Sequence, residues 1–136
     1  MPLDKSRMTC DTLTMIYNAA TGIPANLANR VAALGNAKLR LIWSAHAKHA
    51  AVTDRYGVLP VAAYAKVFSW TDNWTLVEVE STATEIVSKF VIRRVIDAAR
   101  SIVLVVTGEG VVKTCWVNLN SDNHATLNTD KLTIVK

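Results

Sequence analysis

The sequence predicts an α+β domain in which helices cover one face of a C-terminal antiparallel β-meander of about four to five strands. Two observations carry this. Before Ser69 apolar residues recur at helical spacing, and beyond it they mostly alternate or run continuously in Val/Ile-rich segments. The segment order, helices then strands, is that of an α+β layer rather than a βαβ repeat. The 136 residues and 51% apolar composition suit one domain, 1–136, with a 1–40 helical region and a 41–136 core.

In chain order, "DTLTMIYNAA" reads as an amphipathic helix capped by Asp11, and "TGIP" breaks it. "ANLANRVAALGNAKLRLIW" follows as a helix, with Leu27, Val31 and Leu34 on one stripe and Gly35-Asn36 as its stop. "SAHAKHAAVTDRYGVLP" has Ser44 as N-cap and a narrow alanine stripe, with His46 and His49 three apart on adjacent parts of one face. A short helix is expected in "PVAAYAKVF". "NWTLVEVES" alternates as a strand with Glu78 and Glu80 outward. "EIVSKFVIRRVI" also carries a helical stripe, but its Val/Ile density favours strand, which would point Arg93 and Arg94 to opposite faces. "SIVLVVTGEGVVKTCWV" is a hairpin about Gly108-Glu109-Gly110.

No apolar run is long enough to span a bilayer, and the first ten residues lack the apolar core of a secretory signal. Cys10 and Cys115 show no metal spacing and read as two reduced thiols; no His/Cys cluster calls for zinc, and no cofactor is expected. The net charge of +4 is unevenly spread. Basic segments from Arg30 to Lys66 and from Lys89 to Arg100 flank an acidic one from Asp72 to Glu85, an arrangement suited to a polyanionic partner.

Alternation along Val111 to Val117 puts Val112, Thr114 and Trp116 on one face and Lys113 and Cys115 on the other. Asp122 and His124 follow in the loop. Metal-free RNA cleavage needs a base, an acid, donors to phosphoryl oxygen and a cation. Imidazoles of His46 and His124, the Thr114 hydroxyl and one of Arg93 or Arg94 are the right chemical types. Each also has an ordinary structural reading: surface histidines, a threonine chosen for β-propensity, and a core tryptophan.

Taken in order, "SAHAKHAAVTDRYGV", "VIRRVIDAARSIVLVV" and "GVVKTCWVNLNSDNHATLN" resemble the ribonuclease toxin domains of the superfamily joining barnase, EndoU, the tRNase colicins and RelE. The likeness is greatest to C-terminal toxin domains of polymorphic and contact-dependent inhibition systems. That resemblance implies a metal-independent endoribonuclease, acting on tRNA by 2′-hydroxyl attack. Its catalytic residues would be His46, Thr114, His124 and Arg93 or Arg94. Trp116, Asn118, Lys113, Arg55 and Lys89 would bind substrate. It further implies a monomer delivered into a bacterial cytoplasm as part of a larger effector, and an acidic cognate immunity protein. The rival readings are a non-catalytic nucleic-acid-binding or virion-associated module, and an interaction protein that binds by strand addition.

Overall fold

The computed structural model describes residues 14–54, 56, 57, 59 and 63–121. Its elements are β1 (Thr14–Asn18), α1 (Ala25–Asn36), β2 (Leu39–Arg40), β3 (Ile42–Trp43), α2 (Ala45–Val52), β4 (Val67–Phe68), β5 (Thr75–Thr82), β6 (Val87–Val95), β7 (Arg100–Thr107) and β8 (Val111–Leu119). One sheet has the order β1-β5-β6-β7-β8-β3, and β2 pairs with β4 in a two-stranded ribbon. From β1 to β8 every pairing is antiparallel; β3 joins the far edge parallel to β8. The α+β class is as expected, but among the described residues the main sheet has six strands and the N-terminal region supplies one of them.

The β5–β8 meander forms where Val and Ile crowd the sequence, because β-branched side chains pack well on a pleated surface. β1 overturns the helix expected over "DTLTMIYNAA". Thr14, Ile16 and Tyr17 have good β-propensity, and all five residues of β1 find partners on β5. Asn18 then closes the turn, its side chain accepting from the Thr21 N–H at 3.0 Å. Likewise, "KLRLIW" does not continue α1. Lys38 takes a left-handed conformation, φ 58°, and the chain breaks into β2 and β3. Val67–Phe68, assigned to a short helix by sequence, is a strand; residues 60–62 lie outside the described residues.

Both helices pack on one face of the main sheet. Leu27 and Val31 of α1 and Ala47 and Ala51 of α2 join Phe90, Ile92, Ile102, Leu104, Val112, Cys115 and Val117 in a single buried cluster. α1 ends at Asn36, where Gly35-Asn36 was expected to stop it, and Gly35 also serves this packing. A Cβ there would lie 2.6 Å from Trp70 Nε1, and that indole donates to the Ala32 carbonyl at 2.9 Å. At the β7–β8 turn, Gly110 has φ 98° and a Cβ would overlap the Arg40 carbonyl, so the hairpin and β2 meet only because the residue is glycine.

The opposite face is not a bare polar surface. Val77, Val91 and Val103 form a second apolar cluster there, none more than 4% exposed, with Val105 and Trp116 packed on it. Two irregularities correct the expected alternation. A register shift between Leu76 and Glu78 leaves Glu78 2% exposed rather than outward. Another, opposite Val105 and Val106, places Val112 in the main core with Cys115 instead of beside Thr114 and Trp116.

Candidate functional site

The sequence-predicted histidine helix is anchored to β8 by three successive contacts. β3 pairs with β8 at Val111 and Val112, and the chain then turns into α2. Ser44 makes that turn: its N–H donates to the Val112 carbonyl at 3.1 Å and its hydroxyl to the Lys113 carbonyl at 3.2 Å. The same oxygen accepts from the Ala47 N–H at 3.1 Å, the expected N-cap. One turn on, the Cys115 thiol donates to the Ala47 carbonyl at 3.6 Å. Beyond the helix, Asp54 accepts from the Val117 N–H at 2.8 Å and the Tyr56 N–H at 2.9 Å. α2 therefore runs beside β8 from Lys113 to Val117.

This places His46 in the first turn of α2, next to the Lys113–Cys115 segment. His46, His49 and Lys113 are exposed, whereas Ala47 and Ala51 face the core. Thr114 is half-buried on the opposite face, opposite Val105, and Trp116 lies opposite Val103 in the second apolar cluster. Asn118 is 5% exposed, and its amide nitrogen makes no hydrogen bond among the described residues. Burial pushes the Cys115 thiol up to about 11, with the Asp54 charge adding to the rise.

A second polar group gathers at the end of the sheet where β5 begins, β6 ends and β7 begins. Asn73, Thr75, Arg93, Arg94, Ser101 and Asn120 line a cleft of about 290 Å³ there, with Val77 and Val95 as its apolar part. Arg93 and Arg94 leave β6 toward opposite faces, as alternation requires, yet both reach this cleft because it sits at the strand ends. The Arg93 guanidinium donates to the Leu119 carbonyl at 3.0 Å, and that of Arg94 lies 4.4 Å from the centre of the Trp74 ring.

The cleft wall is fixed by side chains of the β6–β7 turn. Ser101 pairs through its hydroxyl with the Asn120 side chain, whose amide donates to the Asp97 carbonyl at 2.9 Å. Asp97 bonds Arg100 at 2.8 Å, and Arg100 in turn donates to the Tyr56 carbonyl at 3.0 Å. The Ala99 N–H and then the Arg100 side chain hold the Asp97 carboxyl below its ordinary value.

The predicted residues thus fall into separate places. Lys113, Thr114 and Trp116 lie on the middle of β8, Thr114 and Trp116 on the face away from α2, and His46 is exposed on α2. Arg93 and Arg94 line the cleft from β6, two strands away; through β7 the register sets Arg93 level with Trp116 and Arg94 level with Val117. Lys89 is at the other end of β6, 3.7 Å from Glu80. Asp122, His124 and Arg55 lie outside the described residues. Asn73, Thr75, Ser101 and Asn120 were not singled out in the sequence. The available signal was the polar turn chemistry of "TDNWT" and "DAARS" at the two strand starts flanking the double arginine. Among the described residues, no group of three His, Cys, Asp or Glu side chains could hold a metal ion, and no helix is long and apolar enough to cross a membrane.

Comparison with protein-family models, with curated proteins and with solved structures gives no match.

Proposed function

We propose that this chain is a metal-independent endoribonuclease toxin, acting on RNA and on tRNA foremost. The observation that carries the reading is the anchoring of α2 to β8, which holds an exposed imidazole, His46, beside the strand that bears Lys113 and Thr114. On the side away from β7, β8 has among the described residues no strand partner beyond Val112, so in this reading a ribose-phosphate backbone approaches that edge between the Val112 pairing and the Asp54 contact to Val117.

In the proposed reaction His46 removes the proton of the ribose 2′-hydroxyl. The 2′-oxygen attacks phosphorus, and the 5′-oxygen leaves with a proton from His124, giving a 2′,3′-cyclic phosphate. The Lys113 ammonium and the Thr114 hydroxyl donate to the phosphoryl oxygens as charge develops. Such an activity must be blocked in its producer, and the basic surface fits an acidic immunity protein. Delivery as part of a larger effector into a bacterial cytoplasm belongs to the same reading.

A second reading, an RNA-binding module without chemistry, is favoured by the placement of Thr114 and Trp116 on the sheet face opposite the helix that carries His46. Incubation of the purified chain with total tRNA in EDTA separates the two. Cleavage to 2′,3′-cyclic ends is expected, with His46→Ala and His124→Ala each lowering the rate by about 10²–10⁴-fold. Intact tRNA and intact ribosomal RNA, bound by the parent chain, would establish the binding module instead.

A further inference from the structure

We infer that the cleft at the end of the sheet is a subsite for one nucleotide of single-stranded RNA, seated apart from the bond that is cut. Its placement within an RNA path rests on the ribonuclease reading; the binding chemistry does not. Three properties converge. Arg93 and Arg94 line it together with the Thr75 hydroxyl and the Asn73 and Asn120 side chains, a polar set suited to phosphate and sugar oxygens, while the buried Ser101 hydroxyl braces Asn120. Beside them lies apolar surface, since Val77 and Val95 line the same cleft and Val95 is 64% exposed. An exposed valine next to two cations is poor design for a bare anion, but it suits a base whose phosphate is held close by.

Size decides what enters. At about 290 Å³ the cleft is at the lower limit of small-ligand sites, with room for one nucleotide. The lining is also pre-organised. Arg93 is oriented by the Leu119 carbonyl, Arg94 by the Trp74 ring, and Ser101 and Asn120 by each other. Through β7, Arg93 stands level with Trp116 and Arg94 level with Val117, two strand spacings from β8 or roughly 10 Å across the sheet. Arg93 and Arg94 therefore bind a nucleotide beside the one at His46.

The test is an NMR titration of the full chain with uridine 3′-monophosphate, inorganic phosphate and uridine in parallel. The nucleotide is expected to shift the Thr75, Ser101 and Asn120 amides and to bind at least tenfold more tightly than phosphate or uridine. Arg94→Gln should weaken it at least fivefold. Asn73→Gly keeps the left-handed backbone, φ 65°, removes one amide, and should weaken it about threefold. Phosphate binding within twofold of the nucleotide would reduce the cleft to an anion site. Unchanged affinity in both variants, or shifts elsewhere, would overturn the subsite altogether. tRNA cleavage in EDTA is scored separately, so loss of one claim does not carry the other.

Discussion

Asp54 is the single acid in the basic stretch from Arg30 to Lys66, and its carboxylate joins the end of the histidine helix to the edge of β8. One oxygen accepts from the Val117 N–H at 2.8 Å and the other from the Tyr56 N–H at 2.9 Å. Val117 is 3% exposed, so water does not readily replace the lost acceptor. Removing it leaves a buried donor unsatisfied, at about 1–3 kcal/mol, while the half-buried Tyr56 N–H adds about 1 kcal/mol. Asp54→Ala is therefore expected to cost about 2–4 kcal/mol in total. For a chain of this length that is a fall in Tm of roughly 6–15 °C. Asp54→Asn retains one carbonyl acceptor, which can serve Val117 while the amide turns to solvent, so its loss is about half as large. Thermal unfolding by circular dichroism gives the ranking, and amide hydrogen exchange at Val117 gives the cause. A melting temperature within about 2 °C of the parent, with Val117 protection unchanged, would refute the claim that this carboxylate fastens α2 to the sheet.

Two other substitutions or conditions test the packing. Gly35→Ala would gain about 1 kcal/mol from helix propensity alone. The added Cβ meets the Trp70 indole at 2.6 Å, however, and displaces its bond to Ala32. A net loss of about 1–2 kcal/mol in urea denaturation is expected, and any gain would contradict the close approach. For Cys115, the thiol is raised to about 11 in the folded chain and ionises nearer pH 9 when unfolded. Between those values the unfolded state binds fewer protons, so this residue's contribution to stability is intact below about pH 9 and falls as pH rises toward 11. In a Cys10→Ser background, Cys115 should react with a thiol reagent at pH 8 only as fast as the chain opens. Rapid labelling of the native protein would contradict its burial.

The meander was legible because β6, β7 and β8 are Val/Ile-rich and the Gly108-Glu109-Gly110 turn separates two continuous apolar runs. Alternation correctly put Arg93 and Arg94 on opposite faces, and Ser44 was identifiable as a cap because its hydroxyl precedes the alanine stripe by one residue. What failed was local inference across irregular backbone. No composition signal marks the bulges that bury Glu78 and swing Val112 into the core. "TMIYN" could not be told from a helix without knowing that β5 would offer it a partner. The helix stop at Gly35-Asn36 was legible, but the close approach of Trp70 to Gly35 was not, because a packing glycine and a capping glycine look the same in one sequence.

By itself, then, the sequence determined the class of fold, the hairpin and the presence of an exposed histidine helix, since periodicity, turn residues and capping act over a few neighbouring positions. The tertiary structure alone decided that this helix lies along β8, because Ser44, Ala47 and Asp54 are joined to Lys113, Cys115 and Val117 only across more than sixty residues of chain. It alone decided, too, that Arg93 and Arg94 meet Asn73, Thr75, Ser101 and Asn120 instead of His46. Strand register fixes which distant side chains share a strand end, and register depends on pairing and bulges that no short stretch of sequence contains.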